Sequence, residues 1–270
     1  MLECVINLSE GRDELLLSHL ATTAGADLLD VHRDPDHHRS VFTLVGTSAP
    51  RTLVREAVAT LTLHDHDGVH PRLGVVDVVP FVPLGSQTMD DALRARDEFA
   101  RWIVDELGVP VFLYGPERTL PEVRRTAWKS LRPDLGPDVG HETAGAVCVG
   151  ARMPLVAWNM WLEGVDLERT REVARLVRSP EIRTLGLQVG SFTQVSCNLV
   201  SPGMVGPDAA YDAVARHVTI HHCELVGLVP RSVLDATPPG RWRQLDLDVT
   251  RTIEERLAQP LTMRRVSWAR

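Results

Sequence analysis

Val75-Val76-Asp77-Val78-Val79-Pro80-Phe81 is a β-branched run broken by one carboxylate, and it reads as a buried strand. Upstream of it, Pro50 opens a helix with Leu53, Val54, Ala57, Val58 and Leu61 on one face. Before that helix, residues 28–31 and 40–45 predict two strands joined by the polar stretch RDPDHH. The chain itself starts with an apolar strand, Leu2–Leu8, a turn at Ser9-Glu10-Gly11, and a helix carrying Leu16, Leu20 and Thr23 to a stop at Gly25. The order as far as Phe81 is therefore β-α-β-β-α-β, that of a ferredoxin-like unit.

Downstream, Thr88 with Asp91 three residues on predicts a capping box, opening a helix that carries Leu93, Phe99, Ile103 and Leu107 to Gly108. A strand follows over residues 109–114. Residues 115–145, rich in Pro, Gly and Arg, predict a surface connection with one short helix over 121–131, and a domain boundary or active-site loop belongs there. Beyond it the pattern predicts a strand over 154–162, a helix over 166–177, strands over 183–189 and 193–200, a helix after Pro207 and a strand over 224–228. The same order of elements has recurred. The expected fold is α/β (α+β), two ferredoxin-like subdomains over residues 1–152 and 153–270, with a ligand cleft between them.

Composition bounds the function. At 270 residues, 44% hydrophobic and 24% charged, the chain matches an ordinary globular protein, and no uncharged apolar stretch has the length of a membrane span. Twenty-nine basic against 36 acidic residues leave a net charge of −7, which repels a phosphate backbone, so small-molecule substrates are expected rather than nucleic acid. Cys4, Cys148, Cys197 and Cys223 form no C-x-x-C pair and read as reduced, buried residues. The start MLECVINLSEGRDE, with Glu3 and Glu10, lacks the basic opening of a secretory signal, so a cytoplasmic location is expected. Open sheet edges make a homodimer the expected assembly.

Of the 11 histidines, six (His32, His37, His38, His64, His66 and His70) lie in or beside two polar loops that also carry aspartates. Imidazole and carboxylate are metal ligands, yet His64-x-His66-x-x-x-His70 matches neither a binuclear-hydrolase order nor H-E-x-x-H, and no metal is expected. Pro71 restricts His70 to an extended backbone at the entry to the buried strand. That residue reads either as a general acid/base or as a loop histidine bonded to a neighbouring carbonyl. Asp77 is costly to bury unpaired, which predicts an arginine partner such as Arg72. Three glycines in the stretch 134–145 either let backbone amides approach a ligand or mark an ordinary loop.

In order along the chain, CVINLSEGR, DPDHHRSVFTLVG, GVHPRLGVVDVVPFVPL, VPVFLYGPE, GARMPLVAWNMWL, QVSCNL and ELVGLVP resemble the glutamate formimidoyltransferase family, the formiminotransferase domain of formiminotransferase-cyclodeaminase. The resemblance implies two α/β subdomains and transfer of a formimidoyl group between N-formimidoyl-L-glutamate and tetrahydrofolate, the co-substrate, in histidine degradation. The family's G-x-H-P-R motif falls on Gly68-Val69-His70-Pro71-Arg72 and implies that His70 is the catalytic proton carrier. The implied substrate and folate residues are Arg39, Arg72, Asp77, the loop Gly136, Pro137, Asp138, Val139, Gly140, His141, Glu142, Thr143, Ala144 and Gly145, and Arg152. Arg132 leads almost directly into Pro133-Asp134, where the family carries an Arg-x-Gly-Glu-Tyr-Glu segment. That difference motivates two alternatives, a paralogue acting on a different small amidine or acyl substrate, and a non-catalytic ligand-binding protein of the same fold.

Overall fold

The computed structural model describes residues 1–64 and 66–259, so Asp65 of the histidine-rich loop and the end of the expected second subdomain, 260–270, lie outside the described residues. The chain forms two compact units, one holding Met1–Met153 and the other beginning at Pro154. The fold is mixed α/β, with a six-stranded and a four-stranded sheet.

In the first unit β1 (Leu2–Leu8), α1 (Glu14–Ala24), β2 (Leu28–Asp34), β3 (Arg39–Val45), α2 (Ser48–Thr60) and β4 (Val76–Pro83) follow one another as expected. The strands pair in the order β2-β3-β1-β4, with antiparallel registers throughout, which is ferredoxin-like. Asp13 caps α1 by accepting from the Leu16 amide, and the buried stripe is Leu17, Leu20, Ala21 and Ala24, one residue round from the expected one. Helix α2 starts at Ser48, with Pro50 still in its first turn, where a missing amide hydrogen costs nothing.

The sheet then grows by two strands. Helix α3 (Met89–Leu107) has the predicted Thr88–Asp91 capping box and ends at Gly108 in the left-handed conformation. It leads to β5 (Val111–Tyr114) and α4 (Leu120–Thr126), and β6 (Val147–Ala151) then inserts parallel between β4 and β5. Strand β6 is absent from the sequence reading, which ran the connection into a strand starting at residue 154. It is only five residues long, contains Gly150, and is buried throughout, so it has no alternating pattern to betray it. Helix α4 is also shorter than the expected 121–131, because the chain turns at Ala127 and Trp128, the latter at φ 65°.

Helices α1 to α3 cover one sheet face over a core that includes Ile6, Leu17, Phe42, Leu53, Phe81 and Phe99. A smaller cluster lies on Val78, Phe112, Tyr114, Cys148 and Ala146, where α4 and the turn after it add Val123 and Ala127. Residues 115–131 are therefore partly anchored rather than a free surface connection. At Gly74 a Cβ would fall 2.2 Å from the Ala146 oxygen and 2.6 Å from that of Ala144. Gly74→Ala is expected to cost about 1–3 kcal/mol through backbone displacement. Urea denaturation checks this, and an unchanged midpoint with an unchanged slope would show that the contact yields freely.

In the second unit β7 (Val156–Leu162), α5 (Leu167–Leu176), β8 (Ile182–Val189), β9 (Phe192–Leu199), α6 (Pro207–Ala215) and β10 (Ile220–Val226) repeat the plan, with the order β10-β7-β9-β8. Strand β10 begins four residues before the expected start, because its first residues include exposed His221 and His222, which break the apolar pattern. Helices α7 (Arg231–Ala236) and α8 (Ile253–Ala258) follow, and the segment between them closes the core with Leu245 and Leu247; the Leu245 carbonyl accepts from the buried Trp158 indole at 2.9 Å.

Among the described residues no helix is long and apolar enough to cross a membrane. All four cysteines are free and buried, and burial pushes the Cys197 and Cys223 thiols up to about 12, so neither is a thiolate at neutral pH.

Candidate active site

The polar centre of the first unit is a break in β4's ladder. Leu8 pairs with Val76 and Asn7 with Val78, so Asp77 is the extra residue of a β-bulge. Its carboxylate is fully buried and gathers partners from three directions. Arg39, at the start of β3, donates to Oδ2 at 2.6 Å; Arg124, on α4, donates to Oδ2 at 2.6 Å and to Oδ1 at 3.3 Å; the Leu73 amide donates to Oδ1 at 2.9 Å. Burial alone would raise the acid's pKa, but the two guanidiniums override it and hold the carboxyl well below the usual carboxylate range.

The expected Arg72 pairing with Asp77 is not what forms. The Arg72 guanidinium turns back on its own loop and donates to the Gly68 carbonyl and, at 2.7 Å, to that of His70. Its role is to hold the loop's shape. Arg39 has a second anchor, Asn7 Oδ1, to which Nη2 donates at 2.9 Å and Nε at 3.2 Å. Sequence reading missed Arg124 and Asn7 as members of this cluster. The signal for a second cation was present, since a carboxylate inside an apolar strand calls for more than one donor. Several arginines were available, and only the burial of Val123 on α4 selects Arg124.

His70 lies beside this cluster in a half-buried loop position. Its Nδ1 is 2.8 Å from the Pro71 carbonyl, which can only accept, so Nδ1 carries the hydrogen and Nε2 has the lone pair. The expected bond to a neighbouring carbonyl thus exists, and it leaves the other nitrogen free to accept a proton. Burial first, then the Arg39 charge, hold the imidazole well below its ordinary pKa, with Asp77 partly opposing them. The ring is therefore neutral at neutral pH. His37 meets it edge-on at 6.1 Å between centroids, while its Nδ1 lies 3.1 Å from Asp34. His38 and His66 stack at 4.1 Å, and His66 Nε2 donates to the His38 carbonyl at 3.1 Å, tying the histidine-rich loop to the β2–β3 hairpin. Among the described residues no group of three His, Cys, Asp or Glu is arranged to hold a metal ion.

The glycine-containing loop divides in two. His141 and Gly145 exchange backbone hydrogen bonds at 2.8 and 2.9 Å, and this hairpin is stitched to the His70 loop by Leu63 N to Thr143 O, Val75 N to Ala144 O and Ala146 N to Leu73 O. Thr143, Ala144 and Gly145 thus support the loop that carries His70, with His141 paired opposite Gly145 and Glu142 in the turn between them. Gly136, Pro137, Asp138, Val139 and Gly140 are exposed, and Gly136 lies against Pro110 and Val104 instead. Arg152 is set apart from the cluster. Its amide donates to the Phe81 carbonyl, four residues along β4 from Asp77, or about 13 Å of strand.

A family model described as the formiminotransferase domain, N-terminal subdomain, matches residues 1–152, the part that holds this whole cluster. The chain belongs to the formiminotransferase family. It is similar to the glutamate formimidoyltransferase of Streptococcus pyogenes serotype M1, 34% identical over 270 residues that cover 87% of this chain and 90% of that protein. Similarity to the glutamate formimidoyltransferase of Thermoplasma acidophilum is 31% over 275 residues, covering 87% and 89%. The formimidoyltransferase-cyclodeaminase of Sus scrofa is 31% identical over 283 residues, which are 87% of this chain and 51% of that protein. The proteins of this family that it resembles are named as transferases, and the chain is a transferase of that kind.

Proposed function

We propose that this chain transfers a formimidoyl group between N-formimidoyl-L-glutamate and tetrahydrofolate, with His70 Nε2 as the proton carrier. The observation that supports this most is the neutral, Nδ1-protonated ring of His70 beside a buried Arg–Asp–Arg cluster. In the forward step an amine nitrogen of tetrahydrofolate attacks the amidine carbon, forming a C–N bond and a tetrahedral intermediate. The proton released from the attacking nitrogen passes to Nε2 and from there to the glutamate nitrogen as its C–N bond to the same carbon breaks. One imidazole serves both transfers because it is regenerated neutral at the end. The cluster's two guanidiniums and one carboxylate leave a net positive charge, which suits a substrate carrying carboxylates, and Arg39 is the residue we assign to that attraction.

Tetrahydrofolate is assigned to the glycine-containing loop of residues 136–145. Gly140 tests this, because a Cβ there would lie 3.6 Å from its nearest neighbour, an ordinary contact, and circular dichroism checks that the valine variant is folded. Titration calorimetry is expected to show tetrahydrofolate binding to the wild type and roughly two- to tenfold weaker binding to Gly140→Val, the loss of one hydrogen bond or its equivalent. Absence of binding by the wild type at millimolar ligand would remove the folate reading. It would leave the second reading, a different small amidine or acyl substrate, which Arg132 running straight into Pro133-Asp134 favours; Asp134 is there held by Arg118 at 2.6 Å and the Leu113 amide at 2.7 Å.

A further inference from the structure

The cation that sequence reading overlooked is joined to the imidazole by one shared atom. The Pro71 carbonyl oxygen accepts from His70 Nδ1 at 2.8 Å and from Arg124 Nη1 at 2.9 Å. The same guanidinium donates to both oxygens of Asp77, whose Oδ1 also holds the Leu73 amide. Thus one planar side chain fixes the loop at residue 71 directly and at residue 73 through the carboxylate.

We propose that Arg124 is a positioning residue for His70, orienting the Pro71 carbonyl so that the ring keeps its hydrogen on Nδ1 and presents Nε2 as the acceptor. The inference rests on the reading above, in which His70 moves the proton. Arg124 touches no reacting atom and acts through Pro71. Two observations make it more than a counter-charge for Asp77. Arg39 already pairs with that carboxylate at 2.6 Å, and the bond from Arg124 to Pro71 contributes nothing to Asp77. The fork geometry also matters, since Nη1 and Nη2 engage the carboxylate while Nη1 reaches the carbonyl; a lysine ammonium keeps the charge but not that fixed plane. The orientation is fixed in turn by packing, because Arg124 follows the fully buried Val123 and the capping box at Thr119 and Glu122 starts the helix.

The charged and titratable groups around the ring are Arg39 from β3, Asp77 from β4, Arg124 from α4, His37 from the β2–β3 hairpin and Arg72 from its own loop. Arg124 lowers the proton affinity of His70, so removing its charge moves the acid limb of kcat upward in pH, whereas exchanging it for lysine leaves the limb near its place.

The test uses Arg124→Gln and Arg124→Lys in the full chain, with three readouts: formimidoyl transfer to tetrahydrofolate, the nitrogen-15 signals of the His70 ring, and thermal melts. Both variants are expected to lose roughly 10- to 100-fold in kcat, the scale of a misplaced catalytic group, while KM stays within about threefold. Both are expected to show His70 as a mixture of tautomers in place of the single Nδ1-protonated form. A folded variant that keeps the single tautomer and the wild-type kcat overturns the proposal, and so does a loss of kcat with the tautomer unchanged. If Arg124→Gln fails to fold, Arg124→Lys, which retains the charge opposite Asp77, decides it. His70→Gln is assayed alongside. Turnover like the wild type there removes the proton-carrier reading, whereas the tautomer in the Arg124 variants judges the positioning by itself.

Discussion

His70→Ala is expected to lose about 10²- to 10⁴-fold in formimidoyl transfer, the range that a positioned acid/base contributes, while the circular dichroism spectrum and thermal melt stay those of the wild type. The fold is expected to tolerate the change because, among the described residues, the side chain belongs to no core cluster and bonds to the carbonyl next door. The pH profile provides a second check. Because the folded ring is held below its ordinary value, the neutral form persists through the usual histidine range, and the acid limb should lie below about 6.5. Near wild-type turnover in His70→Ala would remove the proposed mechanism.

Asp77→Leu is expected to destabilise the first unit by about 3–5 kcal/mol, the usual cost of deleting one partner of a buried ionic group and leaving the other charge uncompensated. Here two guanidiniums, Arg39 and Arg124, would face each other with no carboxylate between them, and the Leu73 amide would lose its acceptor. Urea denaturation measures the loss, and a variant as stable as the wild type would show that water replaces the carboxylate at little cost. The same cluster predicts acid sensitivity of a definite sign. The folded carboxyl has a lower pKa than the unfolded one, so its contribution is present in full above the unfolded value of about 4 and is lost as the pH falls below it. Stability of Asp77→Leu should therefore depend less on pH than that of the wild type in this range.

Much of this was readable residue by residue, for reasons that are local. The Thr88–Asp91 capping box, the stop at Gly108 and the β-branched run before Phe81 are each decided by a few neighbouring side chains, and each lies where the pattern puts it. The β-α-β-β-α-β order was legible twice over for the same reason. Strand β6 was not, because burial on both faces erases alternation and because Gly150 weakens the β signal; a Cβ there would strike the Tyr114 ring at 2.2 Å, so the glycine is dictated by a neighbouring strand rather than by its own. For the site, His70 could be singled out from its proline neighbour and its motif, and Asp77 from its cost of burial. Which arginine answers Asp77 could not, since the nearest in sequence, Arg72, is spent on loop carbonyls and the actual partners stand 38 and 47 residues away.

By itself, then, the sequence determined the class of fold, the family, and the need for Asp77 to be paired, because periodicity, capping and the desolvation of a charge are properties of short stretches of chain. Tertiary structure alone decided the bulge that isolates Asp77 and the arginines that neutralise it. Those depend on register between β1 and β4 and on where α4 comes to rest, quantities set by packing between segments far apart in the chain.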